Sequence, residues 1–295
     1  MAAGRGRSMA EVIQDGGPSI SFEFFPPKDD AGVERLWRAI QALEPYQPTF
    51  VSVTYGAGGT TRDTTVEITG RIARETSLTP VAHLTCIGHT REELEKILDT
   101  YTEAGVHHVM ALRGDPPEGP AAEWTPTEGG LTYALDLVEL ARSRGDFRIG
   151  VAAFPEGHIN AASLDADADV LVAKARAGAE FAVTQMFYRA QDYFDLVARV
   201  RDRGVDIPIL PGIMPILNLN AIQRQGELVG TVVPEEVVAR ISAHDDPVAV
   251  RAEGIAVAAE LCRELLDGGA PGLHFYTLNF SKATLEIFEA LQIRV

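Results

Sequence analysis

Apolar and polar positions alternate along this chain in two rhythms that take turns. From Ile20 to Phe25 the period is two: Ser21, Glu23 and Phe25 share one face of a strand, Phe22 and Phe24 the other. Pro26 and Pro27 end it, because neither can donate to a ladder. The rhythm then becomes helical, with Val33, Leu36, Trp37 and Ile40 on one face of a helix over 33–43. The same alternation recurs to the end of the chain. Strands are expected over 49–54, 80–86, 107–112, 148–154, 181–187, 207–213 and 272–278, the seventh interrupted by Pro208 and Pro211. Helices are expected over 62–75, 91–104, 131–143, 169–177, 193–203 and 282–291. Gly105 and Gly204 follow two of them as stop signals, and 55–59 and 116–130 read as loops rich in Gly or Pro.

Regular strand-then-helix alternation implies parallel strands joined by crossovers. Eight such units in about 250 residues predict an α/β protein, a closed (β/α)8 TIM barrel. An open doubly wound sheet is the alternative; it is disfavoured because no G-x-G-x-x-G follows any strand, Thr61 standing where the third glycine belongs. The segment 218–269 is too long for one connection, and apolar helical patches at 234–241 and 248–266 predict extra helices between strands 7 and 8. Residues 1–18 read as a flexible lead-in, and 19–295 as a single catalytic barrel.

Net charge −16 argues against nucleic acid or an anionic membrane surface as partner, and leaves any anionic ligand to a few local cations. Cys86 and Cys262 form no C-x-x-C pair, which fits a reducing cytoplasm. There is no apolar signal core near the N-terminus and no run long enough to span a membrane. The apolar helices of 218–269 could pack on the barrel or form a homo-oligomer interface.

Barrel active sites lie at the carboxyl ends of the strands. The ends expected here carry Glu23, Thr54 with Tyr55, His83 and Thr85, Arg113 and Asp115, Phe154 and Glu156, Gln185, and Tyr276 with Asn279. A carboxylate buried among aromatic neighbours should have its pKa raised by desolvation, which suits a general acid; a buried ion pair is the bland reading of Glu23. Lys28, Lys96, Lys174 and Lys282 all fall outside strands, against a Schiff-base aldolase. The histidines show no metal-ligand spacing, so no metal site is expected. Asp245-Asp246 reads as a turn or a helix cap.

These residues assembled, the sequence resembles the methylenetetrahydrofolate reductase family in its short bacterial form. The matching pieces run in family order: SFEFFPPK, FVSVTYGAGG, HLTCIG, ALRGDPP, AAFPEGH, TQMF, PGIMPI and HFYTLN. The resemblance implies NADH- or NADPH-dependent reduction of 5,10-methylenetetrahydrofolate to 5-methyltetrahydrofolate, within one-carbon metabolism and methionine biosynthesis. It implies Glu23 as the acid that opens the folate to an iminium, and Asp115 as a charge near the pterin. Gln185, Thr54, Leu217, Leu219 and Tyr276 would hold substrate. Thr54, His83, Arg113, Tyr133, Phe154, His158, Asp167 and Lys174 match flavin-contacting positions. In the family FAD carries the hydride, but here Val170 and Ala173 stand where relatives use an Asn and an Arg near the FAD phosphates. Phe154 replaces a Tyr, and Phe280 replaces an Arg that helps hold substrate. Direct transfer from the nicotinamide to the iminium is therefore expected ahead of transfer through FAD. Another barrel enzyme, such as an aldolase or a flavin-dependent proline oxidase, and a non-catalytic folate-binding barrel are the rival readings.

Overall fold

The computed structural model describes residues 7–55, 62–116, 119 and 122–294. Its elements run α1 (Met9–Gln14), β1 (Ser19–Phe24), α2 (Asp30–Leu43), β2 (Phe50–Val53), α3 (Arg62–Glu75), β3 (Pro80–Thr85), α4 (Arg91–Glu103) and β4 (His108–Leu112). They continue α5 (Ala134–Arg144), β5 (Arg148–Ala153), α6 (Leu164–Arg176), β6 (Phe181–Thr184), α7 (Ala190–Asp202), β7 (Ile209–Leu210) and β8 (Gly212–Ile213). The last are α8 (Leu219–Val229), α9 (Glu235–Ser242), α10 (Pro247–Asp267), β9 (Gly272–Tyr276) and α11 (Lys282–Leu291). The glycine loop expected at 56–59 lies outside the described residues.

Among the described residues the strands of the sheet all pair in parallel, in the order β7-β6-β5-β4-β3-β2-β1-β9-β8. The sheet's two edges, β7 and β8, are one strand divided at Pro211, which has no N–H to give. Its first half pairs with β6 and its second with β9, so the barrel closes through the interruption. The Gly212 N–H donates instead to Thr184 Oγ1 at 2.8 Å, a side chain standing in for a ladder carbonyl. A Cβ at Gly212 would run into the Thr184 carbonyl and the Tyr276 hydroxyl, so only glycine fits that crossing.

Strands buried on both faces read as nearly continuous apolar runs, and β2 and β3 are buried at every position. Outward-facing Phe22 and Phe24 pack with Leu36 and Ile40 of α2 and Phe288 of α11 in the layer between barrel and helices. Caps set the helix starts: Asp29 accepts from Gly32 N–H, and Thr90 and Glu93 form a reciprocal capping box. Asp246 caps α10, as a cap reading of Asp245-Asp246 requires. Among the described residues no helix is long and apolar enough to cross a membrane.

Beyond shifts of two or three residues at the ends of α2, α5, α7, β6 and β9, the last two leaving Gln185 just past its strand and Tyr276 at the end of its own, three elements depart from the sequence expectation. The lead-in holds α1, fixed by a Ser8–Glu11 capping box, with Met9 and Ile13 buried against Phe50, Val81, Met110 and Phe181 at the amino end of the barrel. Six residues are too few for periodicity to announce, and the helix is held by tertiary packing. Helix α6 starts at Leu164, five residues before the expected 169, because Ser163 caps it and Asp165 and Asp167 complement its first-turn dipole. Of the extra helices, α9 and α10 match the two patches; α8 was not foreseen and is capped by Asn218.

Candidate active site

The polar centre begins with period two. Because Phe22 and Phe24 face the helices, Glu23 faces the barrel interior rather than an aromatic pocket. Parallel register sets it beside Ser52 on β2 and Tyr276 on β9, and sets Ser21 beside His274. Glu23 is 8 % exposed. Three groups approach the same oxygen, Oε2: His83 Nε2 at 3.4 Å, His274 Nε2 at 3.6 Å and Ser52 Oγ at 3.5 Å. Behind His274, its Nδ1 lies 2.8 Å from Ser21 Oγ, continuing the polar file toward the floor. The Tyr276 hydroxyl donates to the Thr184 carbonyl at 2.6 Å, and burial raises its pKa.

This arrangement corrects the expected pKa of Glu23. Burial is the largest single influence and pushes the carboxyl up, but the His83 charge and the His274 contact together outweigh it and hold the carboxyl below its ordinary range. His83 is itself pushed down, by burial first, against the pull of Glu23. Neither histidine's Nε2 makes a well-formed hydrogen bond, so the centre is a close-packed acid between two imidazoles and not a satisfied ion pair. Sequence reading placed His83 among flavin contacts and passed over His274 and Ser52; the alternation of His274 with Tyr276 was the signal available for the former.

A second group forms at the ends of β4 and β5. The His158 ring meets Phe154 edge-on at 4.8 Å, and its Nδ1 accepts from the Asn160 N–H at 3.0 Å. Burial first, then Arg113 and Lys174, lower the His158 pKa, while Asp115 pulls the other way. Lys174 is buried and brought down to about 8, its Nζ donating to the Ala152 carbonyl at 3.2 Å with Asp167 nearby. Burial raises Asp167, opposed by Lys174 and by the His158 N–H. Arg113 spends its Nε on the Gly114 carbonyl, lies 3.8 Å from Asp115 and stacks on Trp124 at 4.7 Å. Gly114 is at φ 81°, the conformation this turn needs. Trp124, on a loop with no pattern to mark it, escaped the sequence reading.

The remaining expected residues are spread out. Tyr133 is 60 % exposed at the start of α5. Thr54, half-buried, donates its N–H to the Phe24 carbonyl. Gln185 turns its Oε1 back onto the Met186 N–H. Leu217 packs on the helix–barrel core, and Leu219 on a separate cluster of Ile216, Ile222 and Tyr188. Val170 is half-exposed on α6, and Ala173 lines an outer groove with Leu135 and Glu139 of α5. This set fits the pyrophosphate of a resident flavin poorly. Its lysine and its arginine each give one N–H to a backbone carbonyl, its histidine is held toward neutrality, and the carboxylates of Asp115 and Asp167 lie among them.

Fold and centre together define a parallel (β/α)8 barrel with a buried acid at the carboxyl ends of its strands. The family model of methylenetetrahydrofolate reductase matches residues 8–292, and this chain belongs to that family. It is 38 % identical to the 5,10-methylenetetrahydrofolate reductase of Pectobacterium carotovorum, over 98 % of this chain and 94 % of that protein. Against the Escherichia coli protein of the same name the figures are 37 %, 98 % and 95 %. It is 40 % identical to methylenetetrahydrofolate reductase (NADH) 1 of Arabidopsis thaliana, covering 94 % of this chain. The chain spans about half the length of that and other eukaryotic relatives, 48 % for the Arabidopsis protein. A Clostridium thermocellum protein described as binding two copies of 5-methyl-5,6,7,8-tetrahydrofolic acid shares the fold, with TM-score 0.70 at 12 % identity, over 96 % of this chain and 99 % of that one.

Proposed function

We propose that the protein reduces 5,10-methylenetetrahydrofolate to 5-methyltetrahydrofolate, taking hydride directly from NADH or NADPH, in the cytoplasm. The observation that carries this reading is Glu23, buried at a strand's carboxyl end with two imidazoles against one oxygen. Seating a pteridine over the mouth removes the last solvent from the carboxyl and strengthens the upward push of burial, so Glu23 is protonated in the complex. Its proton goes to the bridging nitrogen that leaves. The C–N bond opens, and a methylene iminium remains on the other nitrogen. Hydride from the nicotinamide then gives the methyl group and NAD(P)+. A proton from solvent then restores the carboxyl, with the His83 and His274 imidazoles beside its Oε2. Asp115, beside Arg113 at the mouth, adds negative field that favours the cationic iminium.

The case for direct transfer is one of affinity. A resident flavin has to stay bound through every turnover, whereas a nicotinamide co-substrate needs only a KM of roughly 1 μM–1 mM. The engaged cations near His158 suit the second demand better than the first. Transfer through bound FAD is the second reading, supported by family membership and by Arg113, His158 and Lys174 at matching positions. A visible absorption spectrum of the purified protein, with and without added FAD, separates the two. The expected outcome is a colourless protein that oxidises NAD(P)H when given methylenetetrahydrofolate. A flavin band that survives gel filtration and is required for turnover would restore the FAD route.

A further inference from the structure

Glu23 accounts for the two histidine nitrogens that lack hydrogen bonds at the barrel mouth; a buried polar atom beside them has no such explanation. Among the described residues Thr85 Oγ1 has no hydrogen-bond partner, on a residue only 5 % exposed. The strand fixes its place. Ala82 and Leu84 of β3 pack into the layer between barrel and helices, and Val81 packs into the floor. Val81, His83 and Thr85 therefore face the interior in turn. His83 lies against Glu23, and Thr85 stands one step above it, roughly 7 Å further toward the mouth. The turn at Arg113-Gly114 is held against β3 by the Cys86 and Ile87 N–H groups, which donate to the Leu112 and Arg113 carbonyls. A Cβ at Gly114 would come within 2.9 Å of Thr85 Cβ and 3.2 Å of its Cγ2, so the turn covers the methyl and leaves the hydroxyl to the interior. The bland reading is that threonine is here only as a β-branched strand former. Valine would then serve as well, without a buried hydroxyl that costs stability.

We propose that the Thr85 hydroxyl binds the carboxamide of the nicotinamide when NADH or NADPH enters the mouth. The proposal rests on the direct transfer proposed above and names a residue that positions the hydride donor. Thr85 lies between the two polar groups of the mouth. Below it on β3, His83 belongs to the acid centre; beside it, the Arg113 turn leads to His158 and Lys174, Arg113 being close enough for its charge to act on His158. The folate nitrogen that takes the proton needs only the first group. A dinucleotide has to reach both, with its pyrophosphate among the cations and its nicotinamide over the iminium, so its ring end passes Thr85. The carboxamide is the polar substituent of that ring and offers both donor and acceptor, as a hydroxyl does. One bond to a fixed hydroxyl sets the rotation of the ring, and with it the position of the C4 from which hydride leaves.

The test compares wild type with Thr85→Val and Thr85→Ser by readouts that need no turnover. Binding of NADH and NADPH is followed by their own fluorescence, and binding of 5-methyltetrahydrofolate by calorimetry. Thr85→Val is expected to weaken binding of the preferred dinucleotide about 3- to 10-fold, the worth of a neutral hydrogen bond, and to leave folate binding unchanged. Thr85→Ser, which keeps the hydroxyl, should recover part of the loss. Stability of the free protein should move the other way: removing an unpartnered buried hydroxyl raises the urea midpoint of Thr85→Val above wild type. Unchanged dinucleotide binding in Thr85→Val, or an equal loss of folate binding, would overturn the proposal. So would a lowered urea midpoint, which would show the hydroxyl to be satisfied already in the free protein. Wild-type protein that binds neither dinucleotide unless FAD is present would instead sink direct transfer, and this inference with it.

Discussion

The two ends of the barrel are built from the same strands on opposite principles. At the amino end, α1 seats Met9 and Ile13 against Phe50, Val81, Met110 and Phe181, and the Met9 N–H donates to Glu180, which pairs with Arg148, so the floor is packed and these polar groups are partnered. At the carboxyl end, buried His83 Nε2, His274 Nε2 and Thr85 Oγ1 lack hydrogen-bond partners. An unpaired buried polar atom costs roughly 1–3 kcal/mol, so the mouth is held in place by the stability of the rest. The difference teaches where to look for chemistry: in the layer that the packing leaves unsatisfied. The largest expected effect follows from it. Glu23→Gln keeps the shape of the acid and removes its proton, and kcat should fall by about 10²–10⁴-fold, the usual worth of a positioned general acid. Binding of reduced folate, followed by calorimetry, should survive. Wild-type turnover in this variant would remove Glu23 from the mechanism and leave the contrast between the ends without chemical meaning.

The floor gives the converse experiment. Ile13 is fully buried in the apolar cluster, and Ile13→Asp would set a charge there with no partner. Destabilisation of at least about 4 kcal/mol is expected, since buried unpaired charge is among the few causes of losses that large. Urea titration measures it. In whatever fraction stays folded, kcat per active molecule should match wild type. A kcat that fell with stability intact would show the two ends to be coupled.

How much of this was legible depended on the range of the interaction. Period two in β1 fixed which face of the strand Glu23 occupies, and strand–helix alternation fixed the barrel, because both are local patterns. What the strand faces is not local. The aromatic neighbours of Glu23 in sequence turned out to point away from it, and its neighbours in space, His83 and His274, come from strands 60 and 251 residues further on. The pKa expectation failed for that reason. Helix α1 failed likewise: its two apolar anchors mean nothing until a barrel floor exists to receive them. Ala173 was placed by matched position alone; in the fold it lies beside Leu135 and Glu139 of α5.

The smallest effect separates the ends by pH. His108 opens β4, at the floor end, and burial first, then His107 and Arg148, lower its pKa from 6.5 to about 4. A histidine kept neutral by folding stabilises in full above its unfolded pKa, and that contribution is lost as pH falls from about 6.5 to about 4. The loss from this one group is about 3 kcal/mol, at 1.36 kcal/mol per pH unit. His83, also lowered, acts in the same direction, and so does Glu23, whose depressed carboxyl loses its contribution at still lower pH. His108→Gln should therefore flatten part of the acid limb of stability, as read by urea midpoints between pH 4 and pH 8, and leave stability above pH 7 nearly unchanged. It should not move the pH dependence of kcat, which belongs to the Glu23 group at the other end of the strands. A shifted kcat profile in His108→Gln would mean that proton binding at the floor is felt at the mouth, and the division between a packed end and a reactive end would have to be given up.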